Sequence, residues 1–224
     1  MDGTGRMFAP LIDAFKNKHI ARVVNYPSHE AIGYEELVMQ AFGAIPNEGE
    51  YFLLGESFSG PIAVRLAAQA DDRLRGVILC CSFITAPVKL VPGLRPLISR
   101  LPVSLIPNRV IEYVLFGRFR TTHLSKLYRT AISDVADRTL ARRMRAVNEI
   151  DVSKEFSNLR MPLLYLRATE DKLVARKAPQ EMTRLNKQLV IVDIRGPHCL
   201  LQAAPQEAGK QLMNFMNTHG SDSA

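Results

Sequence analysis

Hydrophobic and polar positions along the chain alternate between two periodicities. Some segments repeat apolar residues every three or four positions, as amphipathic helices do. Between them lie short runs rich in Val, Ile, Leu and Tyr, which predict strands. The predicted strands cover residues 20–26, 51–54, 77–81, 162–168 and 189–194, and the predicted helices cover residues 7–15, 34–42, 61–70, 175–185 and 200–217.

This order of elements predicts an α/β fold. Strands separated by helices of this length pair in parallel through right-handed crossovers. We therefore expect a mostly parallel sheet of about five strands, flanked by helices.

The alternation is interrupted once. Five prolines between residues 87 and 107 disfavour long helices and central strands. Two or three helices then follow, one capped by Asn108 and ending at Gly117, and a longer one capped by Ser133. We predict a core of residues 1–86 and 151–224 that carries a helical insertion of residues 87–150.

Composition narrows the class of protein. With 224 residues, of which 47% are hydrophobic, the chain is long and apolar enough for one sizeable core, which excludes intrinsic disorder. Its apolar runs are far shorter than the roughly 20 residues that span a bilayer, and no export signal is evident, so we expect a cytoplasmic location. Cys80, Cys81 and Cys199 fit neither a disulfide framework nor a zinc site. We expect them to be reduced, and no metal or organic cofactor is implied.

The positive charge is concentrated in the insertion. The chain carries 29 Lys and Arg against 22 Asp and Glu, a net charge of +7. From residue 89 to 145 we count 12 basic and three acidic residues, or +9, which leaves 17 basic and 19 acidic residues, or −2, elsewhere. A nucleic-acid partner is not expected, because the sequence contains no known nucleic-acid recognition motif. An anionic carrier or an anionic membrane surface is a candidate partner for this segment.

Gly55 to Gly60, with the sequence Gly-Glu-Ser-Phe-Ser-Gly, stands between a predicted strand and a predicted helix. This is the context of a nucleophile elbow, a turn so tight that the residues two before and two after the serine must be small. Gly55 and Ser59 meet that requirement. Ser57 is the candidate nucleophile; the alternative is an ordinary turn in which Ser57 caps the helix.

A serine nucleophile needs a base, and the base needs an orienting acid. Asp171 follows the strand at 162–168, and His198 follows the last strand, so both lie in loops at the edge that carries Ser57. Glu170 is the rival acid. The alternatives are that Asp171 caps a helix and that His198 is a surface histidine. Cys199 is interpreted as core packing in preference to a second nucleophile.

These motifs resemble the α/β-hydrolase superfamily over nearly the whole chain. The opening sequence Asp-Gly-Thr-Gly at residues 2–5 is similar to a loop that follows the third strand in members of that family. The resemblance implies that Ser57 is the nucleophile, His198 the general base and Asp171 the orienting acid. It also implies that the backbone N–H groups of Phe58 and Met1 line an oxyanion hole, and that the insertion is a cap over the acyl pocket.

In one respect the sequence departs from the family pattern. The family's first three strands precede the Asp-Gly-Thr-Gly loop, and this sequence has no residues for them. We therefore expect either a truncated relative or a sheet in which residues 20–26 pair directly with residues 51–54. An unfilled position would expose a strand edge and favour a homo-oligomer.

The sequence thus predicts a serine hydrolase acting on a small-molecule carboxylic ester through an acyl-enzyme. One alternative is an acyl-thioesterase or acyltransferase on a lipid or carrier-bound acyl group, and another is a catalytically impaired ligand-binding homologue. Apolar residues of the insertion favour an acyl chain of short to medium length; they are Leu94, Leu97, Ile98, Leu101, Leu105, Ile106, Ile111 and Phe116.

Overall fold

A parallel four-stranded sheet forms the centre of the structure. The computed structural model describes residues 1–15, 20–87 and 106–220. Within these residues the sheet has the order β1-β2-β3-β4. Because all three pairings are parallel, the carboxyl ends of the strands meet at one edge. The strands are β1 (Tyr51–Glu56), β2 (Leu74–Cys80), β3 (Leu163–Ala168) and β4 (Leu189–Ile194).

Helices cover both faces of this sheet, as expected for a buried parallel sheet. Successive side chains of a strand point to opposite faces, so Leu79 belongs to one hydrophobic cluster and Ile78 to another. The predicted α/β fold with flanking helices is confirmed. The helices are α1 (Ala9–Ala14), α2 (Tyr34–Phe42), α3 (Gly60–Ala67), α4 (Asn108–Phe116), α5 (Thr122–Ser133), α6 (Asp137–Glu149), α7 (Ser153–Asn158), α8 (Ala178–Leu185), α9 (Leu200–Ala203) and α10 (Pro205–His219).

The two faces are covered by different helices. Helices α2, α3, α7 and α8 pack on the face of Leu79, while α1, α9 and α10 pack on the face of Ile78. Helix α2 shows how local sequence sets an element: the Glu36 carboxylate accepts the N–H of Gly33 at 3.0 Å, and Leu37 and Val38 are buried one turn later. Its bounds agree with the predicted helix.

The helical insertion leaves and rejoins the core at one place. The N–H of Ala86 donates to the carbonyl of Ile150 at 3.2 Å, and the N–H of Val152 donates to that of Ile84 at 2.8 Å. Helices α4, α5 and α6 lie between these two antiparallel segments. The predicted boundaries at residues 87 and 150 stay a prediction.

Residues 20–26 do not form a strand, so the prediction of a strand there was wrong. The segment is irregular, Ile20 is fully exposed, and the N–H of Tyr26 donates to the carbonyl of Gly3 at 2.7 Å. Its β-branched residues favour a strand only where a neighbouring strand offers a partner. Within the described residues β1 pairs with β2 alone, so the predicted pairing of 20–26 with 51–54 was also wrong. Association through the other edge of β1 stays a prediction.

Several helix boundaries also differ from the prediction. Asn108 is the first residue of α4 and does not cap it, because Pro107 occupies the cap position. Ser133 is the last residue of α5 and does not cap the following helix, which begins at Asp137 after Ala136. The single helix predicted for 200–217 is divided at Ala204, because Pro205 occupies the first position of a new helix. None of the helices in the described ranges is long and apolar enough to cross a membrane.

Glu112 is a buried carboxylate that joins α4 to α5. It accepts hydrogen bonds from Arg129 at 2.7 Å, Ser125 at 3.0 Å and Arg120 at 3.2 Å, and its side chain has no exposed area. Burial alone would raise the pKa of Glu112, but the three hydrogen bonds outweigh burial and hold the pKa below its ordinary value.

We expect Glu112→Gln to reduce the free energy of unfolding by about 1–3 kcal/mol at pH 7, because the partners lose a charged acceptor. A depressed folded-state pKa contributes stability above the unfolded pKa, about 4.3 for Glu, and this contribution is lost as the pH falls through the folded pKa. The difference between variant and wild type should therefore shrink toward about pH 3.

Urea unfolding at the two pH values measures this difference, with Glu149→Gln as the matched control. Glu149 is 72% exposed and lies 3.8 Å from Arg142, so its replacement should change stability by less than about 0.5 kcal/mol. Equal effects of the two substitutions at neutral pH would contradict the stabilising role of Glu112.

Candidate active site

Ser57 lies in the turn between β1 and α3. Its φ is 49°, in the left-handed region that residues other than glycine seldom adopt. A three-residue 3-10 turn, Ser57–Ser59, leads directly into α3. This is the geometry of a nucleophile elbow, which holds a serine side chain clear of the strand and the helix at the carboxyl edge of the sheet.

Two glycines make room for this turn. A Cβ on Gly55 would lie 2.7 Å from the backbone oxygen of Ser59. A Cβ on Gly60 would lie 1.7 Å from Oγ of Ser82, and that hydroxyl donates a 2.7 Å hydrogen bond to the carbonyl of Ser57. No larger side chain fits at either glycine without moving the turn.

We expect Gly60→Ala to lower the melting temperature and to reduce hydrolytic activity at least about tenfold, because the new methyl group displaces Ser82 and its bond to Ser57. Gly43→Ala is the matched control, since the nearest atom to its added Cβ is 3.5 Å away. Thermal melting and steady-state kinetics on both variants check the prediction. A Gly60→Ala protein with wild-type stability and rate would refute the packing argument.

His198 lies between Ser57 and Asp171 in a chain of hydrogen bonds. Its Nε2 is 2.7 Å from Oγ of Ser57, and its Nδ1 is 2.9 and 3.0 Å from the two carboxylate oxygens of Asp171. A carboxylate only accepts hydrogen bonds, so Nδ1 carries the hydrogen and Nε2 accepts the hydroxyl of Ser57. The side chains of His198 and Asp171 are only 4% and 7% exposed, so the hydrogen bonds between them are shielded from water.

The loops after β3 and β4 hold these two residues in place. Oδ1 of Asp171 accepts the backbone N–H groups of Leu173 at 2.7 Å and Val174 at 3.0 Å. The N–H of Glu170 donates to the carbonyl of Gly196 at 3.0 Å, which joins the acid loop to the histidine loop. The orientation of the Asp171 carboxylate is therefore set by the backbone.

Glu170, the rival acid, faces a different direction. Its carboxylate pairs with Arg118 and lies 4.0 Å from Arg195. The structure thus brings Asp171, and not Glu170, into contact with His198.

Phe58 directly follows Ser57 and carries the backbone N–H implied as an oxyanion donor. Its buried ring stacks on that of Tyr34, with 4.7 Å between centroids, and the hydroxyl of Tyr34 donates to the carbonyl of Phe58 at 3.1 Å. In the first turn of a helix, backbone N–H groups lack intrahelical acceptors and favour negative charge. Tyr34, whose role was not predicted, therefore orients the backbone next to Ser57.

Met1, implied as the second oxyanion donor, is 41% exposed. Its carbonyl and that of Asp2 accept hydrogen bonds from Arg143 of α6 at 2.7 and 2.8 Å, and Arg143 also donates to Pro27 at 2.9 Å. Burial lowers the pKa of Arg143 from its ordinary value. The insertion therefore holds the Asp-Gly-Thr-Gly loop, while the donor role of Met1 stays a prediction.

Ser82 and Tyr165 form a buried support beneath the turn that the sequence did not reveal. The hydroxyl of Tyr165 donates to the carbonyl of Ser82 at 2.7 Å and accepts its N–H at 3.0 Å. Ser82 lies just beyond β2, at the sheet edge that also carries Asp171 and His198. The one sequence feature that could have indicated a role for Ser82 is that a polar residue follows a buried strand.

The cysteines are free, and their surroundings do not favour reactivity. Cys80 and Cys81 are buried and Cys199 is half-buried. Burial raises the pKa of the Cys80 and Cys199 thiols well above their usual range, so these side chains remain neutral. In the described parts of the chain, no group of three or more His, Cys, Asp or Glu residues is arranged to hold a metal ion.

The apolar residues expected to shape the acyl pocket are only partly described. Ile106 is 43% exposed, whereas Phe116 is fully buried in a hydrophobic cluster that includes Met7. Ile111 is half-buried and packs against the same cluster. The other predicted positions, Leu94, Leu97, Ile98, Leu101 and Leu105, lie outside the described residues.

A parallel sheet with helices on both faces and a serine elbow at its carboxyl edge defines an α/β hydrolase. Residues 35–193 match the family described as Serine aminopeptidase, S33 (Hydrolase_4), and the chain belongs to this family.

One curated protein is similar to this chain over most of the chain's length. The chain is 25% identical over 231 aligned positions to the "Biotin biosynthesis bifunctional protein BioHC" of Cellvibrio japonicus. The match covers 95% of this chain but 45% of that protein, so the chain spans about half the length of this curated relative.

Solved structures share the fold at low sequence identity. A hydrolase from Oleispira antarctica superimposes with a TM-score of 0.82 at 13% identity, over 97% of this chain and 88% of that one. An esterase from Exiguobacterium antarcticum gives 0.80 at 13% identity, over 96% and 88%. A thermophilic esterase from Thermogutta terrifontis gives 0.79 at 16% identity, over 97% and 87%. At such identities these likenesses establish the α/β-hydrolase fold alone.

Proposed function

We propose that the chain is a serine hydrolase that cleaves carboxylic esters of short to medium acyl length. The observation that carries this proposal is the hydrogen-bonded chain from Ser57 through His198 to Asp171. Nucleophile, base and acid are then three neighbouring side chains at one sheet edge, as acyl transfer through a serine requires.

In the first half of the reaction, Oγ of Ser57 attacks the ester carbonyl while Nε2 of His198 takes the hydroxyl proton. The tetrahedral intermediate collapses, the bond to the alcohol oxygen breaks, and His198 returns the proton to the leaving alcohol. Asp171 stays ionised and stabilises the imidazolium that forms in between. The product of this half is an ester between Ser57 and the acyl group.

In the second half, water replaces the alcohol. His198 removes a proton from water, the resulting hydroxide attacks the acyl carbonyl, and the proton passes to Oγ of Ser57 as the carboxylic acid leaves. The N–H of Phe58 is the proposed donor to the oxyanion in both halves. Its place before α3 adds the favourable potential of a helix N-terminus.

A series of p-nitrophenyl esters from acetate to decanoate, assayed with wild type and Ser57→Ala together, tests the substrate class. We expect Ser57-dependent turnover with the highest kcat/KM at short or medium chains. A best substrate at the long end would refute the chain-length proposal. Saturable ester binding without Ser57-dependent turnover would instead identify a ligand-binding homologue.

An acyl-thioesterase or acyltransferase acting on a carrier-bound acyl group is the second candidate. The observation in its favour is the basic insertion, where Arg109, Lys126 and Arg145 are exposed. Other basic side chains of the insertion have partners within the protein: Arg118 pairs with Glu170, and Arg138 donates to the carbonyl of His29. Among the described residues, the basic surface available to an anionic carrier is therefore smaller than the sequence suggests.

Kinetics on a carrier-bound acyl thioester and on an oxygen ester at two salt concentrations separate the two candidates. Electrostatic docking predicts that only turnover of the carrier-bound substrate falls as salt rises. Equal salt dependence for both substrates would dismiss docking through the insertion.

A further inference from the structure

Glu56 is an acidic residue in an apolar row. It is the last residue of β1, and it lies on the same face as Phe52 and Leu54, which pack into the hydrophobic cluster formed with α1, α9 and α10. Moving a carboxylate away from water is costly unless hydrogen bonds or opposite charges compensate. An apolar side chain would pack better on this face of β1, so the presence of a carboxylate at position 56 requires another explanation.

The Glu56 carboxylate contacts the turn that follows His198. One oxygen accepts the backbone N–H of Leu201 at 3.3 Å, and the other accepts Nε2 of Gln202 at 2.9 Å. Gln202 is only 4% exposed, and its Oε1 has no hydrogen-bond partner within the described residues. The acid and the amide form a small polar cluster three to four residues beyond His198.

The histidine loop is anchored on several sides. Before His198, the carbonyl of Gly196 accepts the N–H of Glu170; after it, the N–H of Cys199 donates to the carbonyl of Leu115 at 3.1 Å. Glu56 supplies the anchor from the strand that leads into Ser57. Its hydrogen bond to Leu201 therefore links the segment that follows His198 to the strand that precedes Ser57.

Glu56 also places negative charge near the imidazole. Burial raises the pKa of Glu56, and the Gln202 hydrogen bond and the charge of His198 act in the opposite direction. The other ionisable groups nearby are Asp171, the thiols of Cys80, Cys81 and Cys199, and the Met1 amino group. Burial raises the pKa values of all three thiols, so the carboxylates near His198 are Asp171, which contacts its Nδ1, and Glu56, which contacts the residues that follow it.

On the basis of the proposed function, we propose that Glu56 is a positioning residue for His198. Its carboxylate holds the turn after His198 through Leu201 and Gln202, and its charge stabilises the imidazolium that forms when Ser57 loses its proton. Glu56 does not contact the substrate in this account. It acts through the base.

Two single substitutions separate hydrogen bonding from charge. In Glu56→Gln the amide oxygen can still accept the N–H of Leu201, and the new NH₂ group can donate to Oε1 of Gln202 once that amide turns over. Packing is thus preserved while the charge is lost. Glu56→Ala removes both, and Glu48→Gln is the control for removing the same charge from an exposed position.

We expect Glu56→Gln to lower kcat about tenfold with KM within about twofold, because the effect arises in the transition state. A nearby anion favours the imidazolium, so its removal should move the acid limb of the kcat/KM profile to lower pH by about half a unit. Glu56→Ala should lose about a hundredfold in kcat and exchange the Leu201 amide hydrogen faster. Glu48→Gln should match wild type.

Exchanging the two side chains provides a rescue. The double variant E56Q/Q202E returns one carboxylate to the same cluster, and we expect its acid limb to move back toward the wild-type position. This shift distinguishes a charge effect from loss of structure, because the single and double variants keep side chains of the same size and shape in the cluster.

The outcomes are distinguishable from failure of the proposed function. A Glu56→Gln protein with wild-type kcat and an unmoved acid limb overturns the positioning role, whatever the alanine variant does. If wild type itself shows no Ser57-dependent turnover, the proposed function fails. The positioning role of Glu56 is then tested by NMR titration of the His198 imidazole. If the titration midpoint is the same in wild type and Glu56→Gln, the role of Glu56 is overturned. A lower midpoint in the variant supports it.

Discussion

Ser57→Ala is expected to lower kcat on p-nitrophenyl butyrate by about 10⁴–10⁶-fold, with KM within a few-fold of wild type. The methyl group removes the only atom that attacks the ester in the proposed mechanism and leaves His198 and the turn in place. The carbonyl of residue 57 still accepts the bond from Ser82, so the elbow keeps its support.

Ser59→Ala is the matched control for this prediction. Ser59 belongs to the same 3-10 turn but makes none of the contacts that join Ser57 to His198. Its replacement should leave kcat within about threefold of wild type. Retention of more than about one per cent of the wild-type rate by Ser57→Ala would rule out the serine mechanism.

Asp171→Asn should produce the second largest loss, about 10³–10⁴-fold in kcat. The asparagine oxygen can still accept the N–H groups of Leu173 and Val174, which leaves the side-chain NH₂ facing Nδ1 of His198. This NH₂ group can only donate, so it favours the His198 tautomer that carries its hydrogen on Nε2. In that tautomer His198 cannot accept the proton of Ser57.

The neighbouring acid serves as the control for Asp171. Glu170→Gln removes the same charge one residue away, where the carboxylate pairs with Arg118, and its kcat should stay within about twofold of wild type. Steady-state kinetics of both variants, with melting temperatures to verify folding, measure the contrast. Similar losses in the two variants would mean that Asp171 does not orient the base.

The central part of the candidate site was predictable because its signals are local. A tight turn restricts the residues around Ser57 to small ones, and Asp171 and His198 come directly after strands. Parallel strands bring such positions to one edge whatever the exact helix bounds are. The structure therefore joins Ser57 to Asp171 and His198, which both lie more than 100 positions later in the sequence, as the order of elements predicts.

The supporting contacts were not predictable, because they depend on packing between distant elements. The place of Ser82 after a buried strand indicates the sheet edge at which it lies, but not that its hydroxyl donates to the carbonyl of Ser57. Glu56 likewise stands within the elbow motif, but its partners Leu201 and Gln202 lie about 145 positions away. Such bonds are set by how α9 docks on β1.

The errors in the fold have the same origin. Ile20 to Tyr26 contains the β-branched residues of a strand, but a strand also needs a hydrogen-bonding neighbour, which local sequence does not reveal. Ser133 is a good helix cap by type, yet the helix before it extends that far and the next begins at Asp137. The capping preference of one residue therefore did not set the start of α6.

Covalent labelling of Ser57 tests the proposed function most directly. Wild type and Ser57→Ala are incubated with a fluorophosphonate, and intact mass and peptide mapping locate the adduct. The proposal predicts one adduct per wild-type chain, on Ser57, with parallel loss of esterase activity and no adduct on the variant. Equal labelling of both proteins, or a wild-type protein that stays unmodified, would contradict it.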